Sequence, residues 1–167
     1  MGGLQTLFTL NVEFNFNDGG RAEAGYKGRT GDCVTRAIAI AAQLPYQQVY
    51  DRLAQGNATQ RITKRSPKSD GKKTARRGIS TKRKWFKDYM AELGFKFVAT
   101  MGIGTGCRVH LKADELPKGR LICNVSRHYT AVIDGVINDT MLLTSMVCFT
   151  TLTIAAVMKH DVFTVIG

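Results

Sequence analysis

The sequence predicts an α+β domain in which a buried helix starting at Cys33 packs on an antiparallel β-sheet. Three observations predict it. Residues 33–44 (CVTRAIAIAAQL) are rich in alanine and apolar around much of the circumference, as a buried helix requires. Residues 120–139 hold three short apolar runs, two of them joined by Asp134-Gly135, a strong two-residue hairpin signal. With 167 residues, 44% of them hydrophobic, the chain is long enough to bury one continuous core.

Along the chain, residues 10–16 alternate apolar and polar side chains, a strand signature that Asn17-Asp18-Gly19-Gly20 terminates. Residues 1–24 thus form an N-terminal strand segment ahead of a domain spanning 25–167. Three glycines in residues 25–31 lead into Asp32, a residue type suited to cap the following helix. Pro45 opens a second helix, with Val49, Tyr50 and Leu53 on one face, that ends at Gly56. Residues 56–78 have too few apolar side chains to offset the entropy of ordering and read as a mobile loop. A third helix is expected over residues 81–93, capped by Ser80 and stopped by Gly94, with Trp85, Phe86, Tyr89 and Leu93 inward. The basic loop and the start of this helix make residues 57–87 an insertion in the domain. A strand at 95–101, a turn-prone break at 102–106, a short helix at 109–116 and strands at 120–125, 129–133 and 136–139 complete the pattern. Residues 140–158 carry no charge, nearly enough to cross a bilayer. Their five threonines and their β-branched and aromatic residues favour buried strands over a membrane span.

The formal charge of +11 is concentrated in one window. Residues 61–87 contain twelve basic side chains and one acid, Asp70, so the other 140 residues are neutral overall. An anion-binding role, for nucleic acid or an acidic protein, therefore falls on this patch, with Arg76, Arg77, Lys82, Arg83 and Lys84 as candidates. Trp85 and Phe86 are placed to stack on bases, yet at helical spacing at least one belongs to the core. A solvated loop and helix face accounts for the same charges, and no nucleic-acid fold motif accompanies them.

Cys33, Cys107, Cys123 and Cys148 show no CxxC spacing and no close pairing. A disulfide framework is not expected in a chain this long, and a reducing, cytoplasmic setting fits, since the start of the chain lacks a signal peptide's basic head. Cys107 with His110 makes half a zinc site without a second half, so no metal and no cofactor are expected.

Cys33 heads a helix, where unpaired N–H groups and the helix dipole favour a thiolate. A base held in the right tautomer must deprotonate it. His128 stands at the head of a strand, and Asp139 lies across the expected hairpin. With Asp134 and Gly135 as the loop, Ile133 opposes Val136, Val132 opposes Ile137 and Thr130 opposes Asp139. His128 and Asp139 are then diagonal neighbours on one face, whereas Asn138 lies on the other with Ala131 and Ile133. A three-residue loop reverses that choice in favour of Asn138.

Gly-Asp-Cys at the head of an alanine-rich helix, followed about a hundred residues later by Arg-His-Tyr-Thr-Ala-Val-Ile-Asp-Gly-Val-Ile-Asn-Asp-Thr, resembles papain-like cysteine peptidases. The bacteriocin-leader (double-glycine) branch and its small phage and bacterial relatives are the nearest likeness, over roughly residues 26–140. The resemblance implies a papain-like fold and a thiol protease triad of Cys33 as nucleophile, His128 as general base and Asp139 as orienting residue. The expected activity is hydrolysis of a peptide or isopeptide bond in a peptide or protein substrate. The alternative is a non-catalytic binding module of the same fold that uses the basic patch. Such peptidases commonly place a Gln oxyanion donor six residues before the nucleophile. Here that position is Lys27, so Lys27 and Thr30 are the candidate donors. Gly19-Gly20 faintly resembles a double-glycine leader, with Asn17 where an apolar residue is expected.

Overall fold

The computed structural model describes residues 13–28, 31–59, 73–76, 79–99, 101–102, 106–107, 111–112, 114–125, 128–141 and 153–157. Strand β1 (Phe14–Phe16) precedes helices α1 (Cys33–Ala42), α2 (Tyr46–Ala58) and α3 (Lys84–Glu92). Strands β2 (Phe95–Ala99), β3 (Met101–Gly102), β4 (Gly106–Cys107), β5 (Arg120–Val125), β6 (His128–Ile133), β7 (Val136–Asp139) and β8 (Thr153–Val157) follow. Six strands form one sheet in the order β1-β7-β6-β5-β8-β2, and β3 and β4 pair as a separate two-stranded ribbon.

The fold is α+β, and its sheet is mixed rather than antiparallel throughout. β1 runs parallel to β7, with Phe14 opposite Ile137 and Phe16 opposite Asp139. A chain segment 123 residues away in sequence supplies this edge, and alternation within residues 10–16 says nothing about the direction of its partner. The other neighbours in the sheet pair antiparallel.

The β6–β7 hairpin has the register of a two-residue loop: Ile133 faces Val136, Val132 faces Ile137 and Ala131 faces Asn138. Asp134 (φ 51°) and Gly135 (φ 92°) both sit in the left-handed region, as the tight turn demands of its two central residues. On one sheet face, Ile122 and Ala131 pack with Ile38 of α1, Val49 and Leu53 of α2, and Phe86 of α3. On the other, Leu121, Cys123, Val132 and Ile137 pack with Phe14. Burying an Ile or Leu side chain of this kind contributes about 1.5–3 kcal/mol, so the central strands are held from both sides.

Several local expectations change. α2 continues through Gly56 to Ala58, and Gly56 is a contact site rather than a stop: a Cβ there would run into the Trp85 ring. In an open helix Gly→Ala stabilises by roughly 0.8–1 kcal/mol. Here Gly56→Ala is expected to destabilise by about 1–3 kcal/mol, the cost of overpacking, read as a drop in the thermal midpoint. The far end of the 56–78 loop is anchored: Ala75 is fully buried in the core, and the Asn57 side-chain amide donates to the Thr74 carbonyl at 3.1 Å. α3 starts at Lys84, with Arg83 in the N-cap position. Ser80 instead accepts the Arg83 N–H in a preceding turn.

The short helix expected at 109–116 is a turn where described, with Leu116 N–H bonded to the Lys112 carbonyl. Val109 and His110 lie outside the described residues. In the uncharged 140–158 run, residues 153–157 form β8, between β5 and β2. Among the described residues no helix is long and apolar enough to cross a membrane.

Candidate active site

α1 begins at Cys33, with the Arg36 N–H bonded to the Asp32 carbonyl. Asp32 is the N-cap by position only: no side-chain bond caps the first turn. Its carboxylate, 1% exposed, is drawn away by stronger donors. Arg21 Nε donates to Oδ2 at 2.7 Å and the Tyr46 hydroxyl to the same oxygen at 2.6 Å, while Arg36 Nη1 donates to Oδ1. Burial first, and then the Asp32 carboxylate, push the Tyr46 hydroxyl up, so Tyr46 remains a donor. Arg21 also donates to the carbonyls of Tyr26 and Lys27, both at 3.0 Å. One buried carboxylate thus ties the glycine-rich approach segment to the start of α1.

The hairpin brings the base to that thiol. His128 is the first residue of β6 and Asp139 the last of β7, so antiparallel pairing puts them at the same end of the sheet. His128 Nε2 lies 2.6 Å from Asp139 Oδ2. With Nε2 engaged by the carboxylate, Nδ1 is the ring nitrogen left for Cys33, whose thiol pKa His128 lowers. Asp139 Oδ1 accepts the Thr140 N–H at 2.7 Å. Asn138 points elsewhere: its Oδ1 accepts Asn15 Nδ2 at 2.9 Å, which pins β1 to β7.

The electrostatics follow from this geometry. Burial opposes the charged sulfur of Cys33. Hydrogen bonds from His128 and the Tyr129 amide, with positive charge on His128 and Arg36, outweigh it and hold the thiol below its ordinary value. For His128, burial disfavours the cation, but Asp139 and Cys33 raise its pKa to about 9. Burial would raise Asp139 too, yet its bond to His128 and that ring's charge hold the carboxyl below the usual range. Cys123 shows what burial does unaided: its thiol is pushed up to about 12. Cys33 is part exposed and Cys123 buried. Both shifts favour a thiolate beside an imidazolium, with the imidazole fixed from behind by Asp139.

A mostly apolar cavity of about 150 Å³ is lined by Phe86, Met90, Phe95, Ile122 and Tyr129, the residue after His128, among others. Tyr129 belongs to both cavity and site, since its amide reaches Cys33 and its hydroxyl donates to Thr81 Oγ1 at 2.8 Å.

The remaining candidates lie apart from this cluster or outside view. Lys27 is exposed, and the bond that places it runs through its backbone carbonyl to Arg21. Thr30 lies outside the described residues, as does Arg77. Arg76 rests over the Tyr26 ring at 5.8 Å, Lys82 is exposed, Arg83 is the α3 N-cap residue, and Lys84 pairs with Asp88 at 2.7 Å. Among the described residues no group of His, Cys, Asp and Glu is arranged to hold a metal ion.

Sequence reasoning passed over Arg36, Arg21 and Tyr46. Arg36 had a signal: a lone charge inside a buried apolar helix requires an acidic partner. The partners of Arg21 and Tyr46 are set by loop geometry that no local pattern encodes.

The site brings a cysteine, a histidine and a carboxylate together at one end of the sheet. No protein-family model, curated protein or solved structure matches the chain.

Proposed function

We propose that this chain is a thiol hydrolase of papain-like type, cleaving a peptide or isopeptide bond through a Cys33 thioester. The observation that carries the reading is the 2.6 Å bond of His128 to Asp139 beside Cys33 at the head of α1, with the thiol held low and the imidazole held high. Such a relay is what a sulfur nucleophile needs at neutral pH.

In acylation, the Cys33 thiolate attacks the carbonyl carbon, and the carbon–nitrogen bond breaks as the His128 imidazolium gives its proton to the leaving amine. In deacylation, neutral His128 takes a proton from water, hydroxide attacks the thioester, and the acid leaves with the thiolate restored. Asp139 keeps Nδ1 directed at the sulfur throughout. The backbone N–H of Cys33 at the start of α1 is the donor this reading assigns to the developing oxyanion. The cavity beside Tyr129 suits an apolar side chain next to the scissile bond.

The test is incubation of wild type and Cys33→Ala with a mixed peptide library, read by mass spectrometry, alongside labelling by a peptide vinyl sulfone. The expected result is new termini in the library and label on Cys33 in wild type alone. Equal products from both proteins, or no products and no label, would reject hydrolysis. Binding that survives Cys33→Ala but is lost on charge reversal of Lys82, Arg83 and Lys84 would point to the basic patch instead.

A further inference from the structure

Arg36 lies three residues after Cys33, so the two side chains share one side of α1. It is buried, and its guanidinium stands between two buried carboxylates. Nη1 donates to Asp32 Oδ1, and Nη2 lies 3.4 Å from Asp139 Oδ1. The other oxygen of Asp139 holds His128 at 2.6 Å. One carboxylate is therefore gripped on one side by the nucleophile's helix and on the other by the base. The charges also balance. Asp32 and Asp139 are offset by Arg21 and Arg36, and the thiolate by the imidazolium. Without Arg36 the cluster is net negative, which opposes a neighbouring thiolate.

We propose that Arg36 is a positioning residue for the reactive pair, tying α1 to the Asp139 oxygen that His128 leaves free and so fixing the imidazole against Cys33. This inference rests on the reading of Cys33 and His128 as the reactive pair. Arg36 acts chiefly through Asp139, beside a direct pull of its charge on the Cys33 sulfur, so its effect shrinks once that carboxylate is gone.

The experiment is the rate of Cys33 alkylation by iodoacetamide near pH 6, mapped by mass spectrometry. The proteins are wild type, Arg36→Gln, Arg36→Lys, Asp139→Asn and the Arg36→Gln/Asp139→Asn pair. Arg36→Gln should slow Cys33 about tenfold, the effect of one lost charge partner, and Arg36→Lys should recover most of the rate. The double variant should be slower than Asp139→Asn by much less than the roughly tenfold loss of Arg36→Gln alone, whereas a merely structural role gives losses that multiply. A folded Arg36→Gln protein with the wild-type rate, or multiplying losses, overturns the inference. If Arg36→Gln does not fold, the comparison of Asp139→Asn with the double variant, which lacks one charge of each sign, still decides. A wild-type Cys33 no faster than an ordinary thiol overturns the proposed function and this inference together. A fast wild type with a fast Arg36→Gln overturns this inference alone.

Discussion

Replacing His128 by alanine should slow alkylation of Cys33 near pH 6 by roughly a hundredfold or more, with the fold intact. The sulfur sits where burial alone drives a thiol pKa upward, as Cys123 shows at about 12. What reverses that push at Cys33 is chiefly the hydrogen bond from His128, then the Tyr129 amide and the positive charges nearby. Without the imidazole, the pKa returns to or above an ordinary thiol value of about 8.5, and little thiolate remains near pH 6. The wild-type profile should also change again near pH 9, where the His128 imidazolium gives up its proton. Per-cysteine mass spectrometry supplies its own control, because Cys123 should stay unlabelled in the native protein. A variant that alkylates as fast as wild type contradicts the pairing.

The second large effect falls on stability. Asp139 is 3% exposed and is bonded to His128, Thr140 and Arg36. Asp139→Ala leaves the buried Arg36 guanidinium one carboxylate short and His128 without its orienting group. Removing one partner of a buried ion pair costs about 3–5 kcal/mol, expected as a lower urea midpoint with an unchanged slope. The acid side carries a further signature. The Asp139 carboxyl is held below its ordinary range in the fold. Its stabilisation is therefore fully present above the unfolded value of about 3.9 and lost as pH falls through the folded value. Asp139→Ala should unfold with a shallower dependence on pH across that window. Asn138→Ala is the contrast: it loosens β1 through Asn15 but should leave the reactivity of Cys33 unchanged.

The part of this site that could be read from sequence is the part fixed by short-range rules. Asp134-Gly135 permits a two-residue turn. That turn sets the β6–β7 register, and the two-residue period of a strand then puts Asp139, not Asn138, beside His128. The helix at Cys33 was equally local, since its alanines and its apolar circumference suffice.

What escaped depends on partners distant in sequence. Asp32 looks like a cap until Arg21, Arg36 and Tyr46 compete for its carboxylate. Gly56 looks like a terminator until Trp85, 29 positions on, is seen against it. Ala75 sits in a stretch whose composition argues for a loop, yet the core has a place for its methyl group. The direction of β1 and the insertion of β8 between β5 and β2 are decided by the whole sheet. Local pattern predicts that such strands exist and leaves their neighbours open.

The measurement that tests the central claim most directly is a pH titration of thiolate ultraviolet absorbance in wild type, with Cys33→Ser subtracted. A difference signal that rises to one thiolate per chain with a midpoint below the ordinary thiol value, and that His128→Ala moves upward, is the predicted result. A wild-type difference signal that appears only above about pH 8.5, the ordinary thiol value, would contradict the thiolate and imidazolium pair and the function built on it.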